Sequence, residues 1–317
     1  SFATAEEDAM RRDFTINGIF YDPLGQRHID YVNGLADIKK KIIRTIGEPI
    51  ERFREDYLRM LRAIRFAVQK SFRIDKAVLD GIRSHAERIV QISKERIVSE
   101  LEGILLSIRS DEGLKLLRDC GLLKWLFLKS DSDFIPVDEL QFESTLSGFR
   151  LAPRDRLLRW TLFFRFLNFY YQDLMHIKTL LQENKFDNKT RDSILWVLEK
   201  LPLIESWNRM GPYEQMSLAV AVDFKTLFRI HAIDCQLKGK SASADTIDAL
   251  CQRFQSDPLR WEQMKKFTLL NGNDLVKLGI RGKQIGELLE QAKQKYILGE
   301  LHSRQALLSF IQNAIAE

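Results

Sequence analysis

Glu55-Asp56, followed by arginines at 59, 62 and 65, sets an acid pair and three guanidinium groups in one short stretch. A carboxylate only accepts hydrogen bonds, and a guanidinium only donates them, in a planar fork. Side by side they can read a polar edge, or simply pair with each other on a solvated helix. Glu55–Phe66 reads as one amphipathic helix: at about 100° per residue Asp56, Arg59 and Arg62 share an arc, while Met60, Leu61, Ile64 and Val68 lie opposite. Arg65 is furthest round from Asp56. A second cluster, Arg11-Arg12-Asp13-Phe14-Thr15-Ile16-Asn17, stands at the entrance to a strand. Arginine forks match phosphate oxygens, so Arg11 and Arg12 are candidates for a triphosphate; Asp13 and Asn17 could hold a ribose hydroxyl or brace the arginines. A surface ion pair accounts for the same residues. In Asp30-Tyr31-Val32-Asn33-Gly34 and on to Asp37, the glycine suits a turn and Asp37 a helix cap.

Other chemistries find little support. The five histidines make no His-x-x-Asp or His-x3-His pair, and Cys120, Cys235 and Cys251 are too scattered for a zinc site or a disulfide framework. They read as small buried residues. Asp131-Ser132-Asp133 and Ser241-Ala242-Ser243-Ala244 read as loops. Lys39-Lys40-Lys41 reads as a basic helix end that could also approach RNA. Trp160, Phe164 and Leu167 recur at helical spacing, so the aromatic run from Trp160 to Tyr171 reads as packed core before it reads as a base-stacking surface.

The elements that must position these residues change character once. Phe14–Tyr21, Arg27–Tyr31 and Ile42–Ile46 carry strand signals, and Asp22-Pro23-Leu24-Gly25 suits a type I turn, so the first two strands should form a hairpin. Beyond residue 50 the pattern predicts an all-helical array, with helices beginning near Arg54, Lys76, Lys94, Asp111, Pro153, Asp173, Asn188 and Tyr213. The chain has 317 residues, 45% hydrophobic and 29% charged, enough for two or three domains. Its net charge of +5 leans weakly towards a polyanionic partner. No apolar run approaches a membrane span, and no signal peptide opens the chain, which predicts a cytoplasmic protein. Ser1–Asp8 reads as an interior segment, since two strands alone are marginal, and an upstream part is expected.

Taken in order, residues 11–17, Asp30-x3-Gly34-x2-Asp37, and Glu55-Asp56-x2-Arg59-x2-Arg62-x2-Arg65-Phe66 resemble the second, third and fourth motifs of the class II tRNA nucleotidyltransferase and bacterial poly(A) polymerase family. Ser93-Lys94-Glu95-Arg96-Ile97-Val98-Ser99-Glu100-Leu101 resembles the next motif, which steadies a helix turn. The likeness is strong to about residue 125, weaker at 180–201, and returns at 270–308. It implies a mainly α protein: a remnant of an α/β nucleotidyltransferase head (a β-hairpin plus one strand) at 1–48, a base-recognising neck at 49–125, a helical body at 126–205 and a tRNA-binding tail at 206–317.

The resemblance implies addition of CMP and AMP to the tRNA 3′ end, with tRNA, CTP and ATP as partners and no nucleic acid template. Cytosine and adenine each offer an amino donor beside a ring-nitrogen acceptor; Asp56 would accept from the first and Arg59 would donate to the second. Uracil and guanine would leave the same pair facing like groups, at about 1–3 kcal/mol each. By the same analogy Arg62 and Arg65 line the nucleotide pocket, Arg65 being the most structural of them, and Arg12 reaches the triphosphate, with Asp13 and Asn17 beside it. The family's Mg²⁺ sits on an Asp-x-Asp pair in its first motif, which is absent here. The expectation is therefore no catalytic or metal-ligating residue in this chain, ligands upstream of Ser1, and an inactive fragment. Lys277 to Gly286 looks like a nucleotidyltransferase tail and favours CCA addition, or a CC- or A-adding form, over poly(A) synthesis. There Gly279 would end one helix and Gly282 open the next, where Arg281 and Lys283 could hold a phosphate or simply be solvated. A non-catalytic RNA-binding helical protein is the competing reading: the missing motif supports it, and the presence of Arg12, Asp56 and Arg59 opposes it. Nothing in the pattern sets an oligomeric state.

Overall fold

The computed structural model describes residues 4–127, 138–219, 221–239, 267 and 269–316. The chain divides into two compact units, Ser1–Leu198 and Glu199–Glu317. The first opens with α1 (Ala5–Arg11), started by a capping box in which Thr4 and Glu7 satisfy each other's backbone N–H. Strand β1 (Ile19–Asp22) pairs antiparallel with β2 (Arg27–Asp30), Ile19 opposite Asp30 and Asp22 opposite Arg27. The expected hairpin is present, and the Asp22 carboxylate tightens its turn by accepting from the N–H groups of Leu24 and Gly25. The strand expected from Phe14 is shorter than its sequence signal. Phe14 makes only an isolated bridge to Thr45, and Thr15–Asn17 is a 3₁₀ turn.

Helix α2 (Gly34–Lys40) is capped by Asp30, not by Asp37. The Asp30 carboxylate accepts from the N–H groups of Val32, Gly34 and Leu35 at 2.9–3.1 Å. Burial works to raise its carboxyl, and the N–H groups of Leu35, Gly34, Val32 and Asn33 outweigh that and hold it below the ordinary value. Asp37 is instead buried, accepts from Thr15 Oγ1 at 2.7 Å and faces Arg44 at 3.5 Å. Gly34 does more than turn the chain, because a Cβ there would lie 2.1 Å from the Thr15 carbonyl oxygen.

The all-helical expectation beyond residue 50 also needs a correction. The Ile42–Ile46 signal resolves into β3 (Ile42–Ile43), which pairs in parallel with β4 (Arg73–Ile74). Between them run α3 (Pro49–Glu55) and α4 (Leu58–Lys70). There follow α5 (Lys76–His85), α6 (Lys94–Leu105), α7 (Ser110–Asp119), α8 (Leu122–Phe127), α9 (Glu139–Leu151), α10 (Arg156–Tyr171), α11 (Leu174–Glu183) and α12 (Asn188–Ile204). Helix α4 packs on α6 and α7. Its Met60, Leu61, Ile64 and Val68 are buried as the periodicity requires, each such side chain contributing about 1.5–3 kcal/mol.

The aromatic run is core from Trp160 to Leu167, whereas Phe169 is exposed. Trp160, Phe163 and Phe164 are fully buried and meet Phe127 and Phe186 edge to face, with Trp160–Phe186 centroids 4.8 Å apart. Arg159 is buried beside them at 3% exposure. It donates to the carbonyls of Leu105, Ala152 and Pro153 and to Ser110 Oγ. Cys120 is buried too, which pushes its thiol up to about 11.

In the second unit, α13 (Pro212–Ala219) and α14 (Phe224–Leu237) are followed by helices Gly272–Lys277, Lys283–Ile297 and Arg304–Ala316. These last three close around Leu275, Ile280, Leu288, Ala292, Leu307 and Ile311. No helix among the described residues is long and apolar enough to cross a membrane. Asp131, Asp133, Ser241 and Cys251 lie outside the described residues.

Candidate functional site

The stretch Glu55–Phe66 is two helices, not one. Pro49 starts α3 at a position where its missing N–H is not needed, and Asp56 ends it with extended backbone, φ −157° and ψ 103°. Asp56 Oδ1 then accepts from the N–H of Leu58, which starts α4, while Oδ2 accepts from Arg96 of α6 at 2.7 Å. The 93–101 segment thus steadies a helix turn as its resemblance implied, through Arg96. Arg59 does not face Asp56. It donates to Glu55 Oε2 at 2.5 Å and to the Arg52 carbonyl at 2.7 Å. The hydrogen bond from Arg59 first, then the charges of Arg52 and Arg59, hold the Glu55 carboxyl below its ordinary value despite some desolvation. The two candidate base readers therefore lie three residues apart, each in an ion pair of its own. The Asp56 side chain retains 28% exposure and its partner Arg96 is half exposed. An ion pair as wet as Asp56–Arg96 contributes about 0–1 kcal/mol and can be exchanged for a ligand contact; in the second pair Arg59 is 15% exposed, and its half-exposed Glu55 partner is the end open to water.

Beside this junction runs a second set of charges, whose carboxylates are more buried. Asp13 Oδ1 accepts from Asn17 and from the N–H of Phe14, and Oδ2 accepts from Arg62 Nε at 2.6 Å. Arg62 also faces Glu100 at 3.5 Å; Glu100 takes Arg65 Nε at 2.5 Å, and Arg65 continues to Gln69. Gly103 of α6 makes room for this, since a Cβ there would meet Arg65 Cδ at 2.4 Å. Asp13, with Asn17 donating to it, pairs with an arginine, but that arginine is Arg62 of α4, not Arg11 or Arg12. Arg65 is tied to Glu100 and Gln69 and lies over the Phe66 ring at 4.3 Å.

Arg11 and Arg12 are exposed. Arg12 pairs with Asp8 at 2.8 Å and lies over Phe20 at 5.8 Å. Arg52 was not singled out from the sequence. Its guanidinium donates to the carbonyls of Arg11 and Arg12 at 2.9 and 2.7 Å and to both Glu55 oxygens at 2.8 and 2.7 Å. The available signal was its place three residues before Glu55 and seven before Arg59, on the same side of the stretch. The β3–β4 ladder sets exposed Lys41 beside exposed Arg73, through the Arg73 N–H on the Lys41 carbonyl. In the second unit Gly279 (φ +87°) follows helix Gly272–Lys277, and Gly282 caps helix Lys283–Ile297, with Arg281 and Lys283 exposed; Lys283 has Glu287 at 3.8 Å. Among the described residues no group of three or more His, Cys, Asp or Glu could hold a metal ion.

Comparison with known proteins bears on the whole arrangement. Residues 1–44 match the family described as "Poly A polymerase head domain", and 71–133 the one described as "Probable RNA and SrmB- binding site of polymerase A". The chain is 29% identical over 307 residues to a CCA-adding enzyme of Levilactobacillus brevis, covering 95% of this chain and 71% of the relative. It is 32% identical over 294 residues to one of Geobacillus kaustophilus, covering 90% and 65%. The crystal structure of the Bacillus stearothermophilus CCA-adding enzyme in complex with CTP aligns over 99% of this chain and 76% of that one, with TM-score 0.77 and 25% identity. The fold is also similar to the Thermotoga maritima CCA-adding enzyme complexed with tRNA, with TM-score 0.60 and 24% identity over 98% of this chain and 74% of that one.

Proposed function

The chain belongs to the class II tRNA nucleotidyltransferase and bacterial poly(A) polymerase family, and we propose that its α3–α4 junction selects CTP and ATP for addition to the tRNA 3′ end. The observation that carries this is that Asp56 and Arg59 straddle the junction in separate, partly hydrated ion pairs. Cytosine or adenine replaces those partners: the base amino group donates to Asp56, and Arg59 donates to the ring nitrogen. Uracil and guanine present the opposite pattern and leave both groups unsatisfied, about 1–3 kcal/mol each, or roughly tenfold per group. The Asp13–Arg62–Glu100–Arg65 chain, buried at its two carboxylates, holds α4 in place during that exchange. Arg12 and Arg11, exposed at the end of α1, take the triphosphate, and Arg281 and Lys283 contact tRNA phosphates. A cytoplasmic setting accords with these partners.

The resemblance calls for Mg²⁺. The described residues do not fit it, so no residue of this chain is assigned to the metal and no step is routed through it. The test is equilibrium binding of the four ribonucleoside triphosphates to the chain. CTP and ATP should bind at least about tenfold more tightly than UTP and GTP, and Asp56→Ala and Arg59→Ala should lose that preference while leaving tRNA affinity nearly intact. Equal affinity for all four nucleotides in the wild type would sink the reading. Incubation of a protein carrying this chain together with the metal-binding motif that the resemblance implies, with tRNA ending at the discriminator base and CTP and ATP supplied separately, then distinguishes CCA, CC and A addition from repeated AMP addition. The last outcome would move the assignment to poly(A) synthesis.

A further inference from the structure

Arg52 touches both ends of the candidate nucleotide site without belonging to any of the motifs that define it. One terminal nitrogen donates to the carbonyls of Arg11 and Arg12, the other to Glu55, and its own carbonyl accepts from Arg59. Its side chain is 12% exposed, so this fork is largely withdrawn from water. The backbone from which both candidate phosphate arginines project is thereby pinned, through one planar group, to the carboxylate that holds the candidate base-reading arginine. The two ends are some 40 residues apart in sequence; the Arg62–Asp13 ion pair joins the neighbouring residues, and Arg52 alone among the described residues hydrogen-bonds to the Arg11 and Arg12 carbonyls and to Glu55 together. A guanidinium is suited to this because its donors diverge at fixed angles, whereas an ammonium is a single point charge.

We propose that Arg52 is a positioning residue that sets the distance between triphosphate and base subsites, so that one nucleotide can engage both at once. The proposal rests on the nucleotide reading above. A simpler account is that Arg52 merely caps the C-terminal carbonyls of α1. The two differ in what they predict for partial ligands. A ligand that bridges both subsites gains from their correct spacing, while a ligand that fills only one does not.

The test uses the full 317-residue chain and three probes, CTP, CMP and inorganic tripolyphosphate, titrated by calorimetry or ligand-observed NMR against wild type, Arg52→Gln and Arg52→Lys. Positioning predicts that CTP affinity falls about tenfold in both variants, while CMP and tripolyphosphate each bind as in the wild type. Lysine keeps the charge beside Glu55, so Arg52→Lys should melt closer to wild type than Arg52→Gln and yet share its CTP defect. If Arg52→Gln does not fold, Arg52→Lys decides alone. Unchanged CTP affinity, or equal weakening of all three probes, overturns the proposal and leaves a helix cap. Absence of CTP binding to the wild type overturns the nucleotide reading itself, and this proposal with it.

Discussion

The α3–α4 junction and the aromatic centre around Trp160 both gather arginines and large side chains, and they use them in opposite ways. At the junction, Arg59 and Arg96 sit in ion pairs with Glu55 and Asp56 that remain partly in water. In the aromatic centre, Arg159 has no carboxylate on it among the described residues and is held by three carbonyls and a hydroxyl in a dry environment. Burial and the nearness of Arg154 lower its pKa, with Asp111 opposing, yet a guanidinium stays charged and must keep those acceptors. An arginine satisfied by exchangeable partners is available to a ligand; one satisfied by buried carbonyls is committed to the fold. The Asp13–Arg62–Glu100–Arg65 chain lies between these extremes, and it is where the junction gets its rigidity.

That contrast can be broken by mutation. Trp160→Ala should produce the largest change, about 4 kcal/mol in a urea denaturation curve, because it empties a fully buried site and removes the Nε1 hydrogen bond to Glu102, which keeps only Arg156 among the described residues. Arg159→Met should follow at about 3 kcal/mol, as it leaves buried carbonyls unpaired, with CTP binding by the folded protein unaltered. A loss below about 1 kcal/mol would put Arg159 in the exchangeable class. Arg62→Met removes the charged partner of nearly buried Asp13, and about 2 kcal/mol of stability should go with it. Arg59→Ala and Asp56→Ala invert the pattern: at most about 1 kcal/mol of stability each, but loss of the preference for CTP and ATP in binding assays.

The smallest effect is on acid stability. Asp30 and Glu55 are both held below the ordinary carboxylate value in the folded chain, so the unfolded chain takes up protons first as pH falls. Their contribution is complete above about pH 4 and is lost as pH drops through the folded values. Melting temperatures measured from about pH 5 to pH 3 should decline less steeply in Asp30→Asn than in wild type. An equal slope would mean that other carboxylates set the acid limit.

Much of this was legible beforehand for identifiable reasons. Helices at Lys76, Lys94 and Asn188 begin where expected, because each has a capping or turn residue just before a 3.6-residue apolar pattern. The hairpin follows from one turn. The break at Asp56 was not seen, because the apolar positions of α4 continue the period through it; the aspartate that reads as part of a helix is the one that ends it. The Asp37 expectation failed for a related reason. A carboxylate near a helix start suits a cap, and only the approach of Thr15 and Arg44 decides that it is buried instead.

The sequence by itself determined the mainly helical class, the hairpin, the apolar face of α4 and the likeness to the nucleotidyltransferase family, since each rests on local periodicity or on residue types in fixed order. Tertiary structure alone decided who pairs with whom. A two-residue ladder such as β3–β4 has no periodicity to detect, and its partner lies 31 residues away. The ion pairs Arg96–Asp56, Arg62–Asp13 and Arg65–Glu100 join residues 35 to 49 positions apart, and many arginines compete for the same acids. Charge identity is written in the chain, but Coulomb and hydrogen-bond energies depend on separation and burial, and these exist only once the helices have packed.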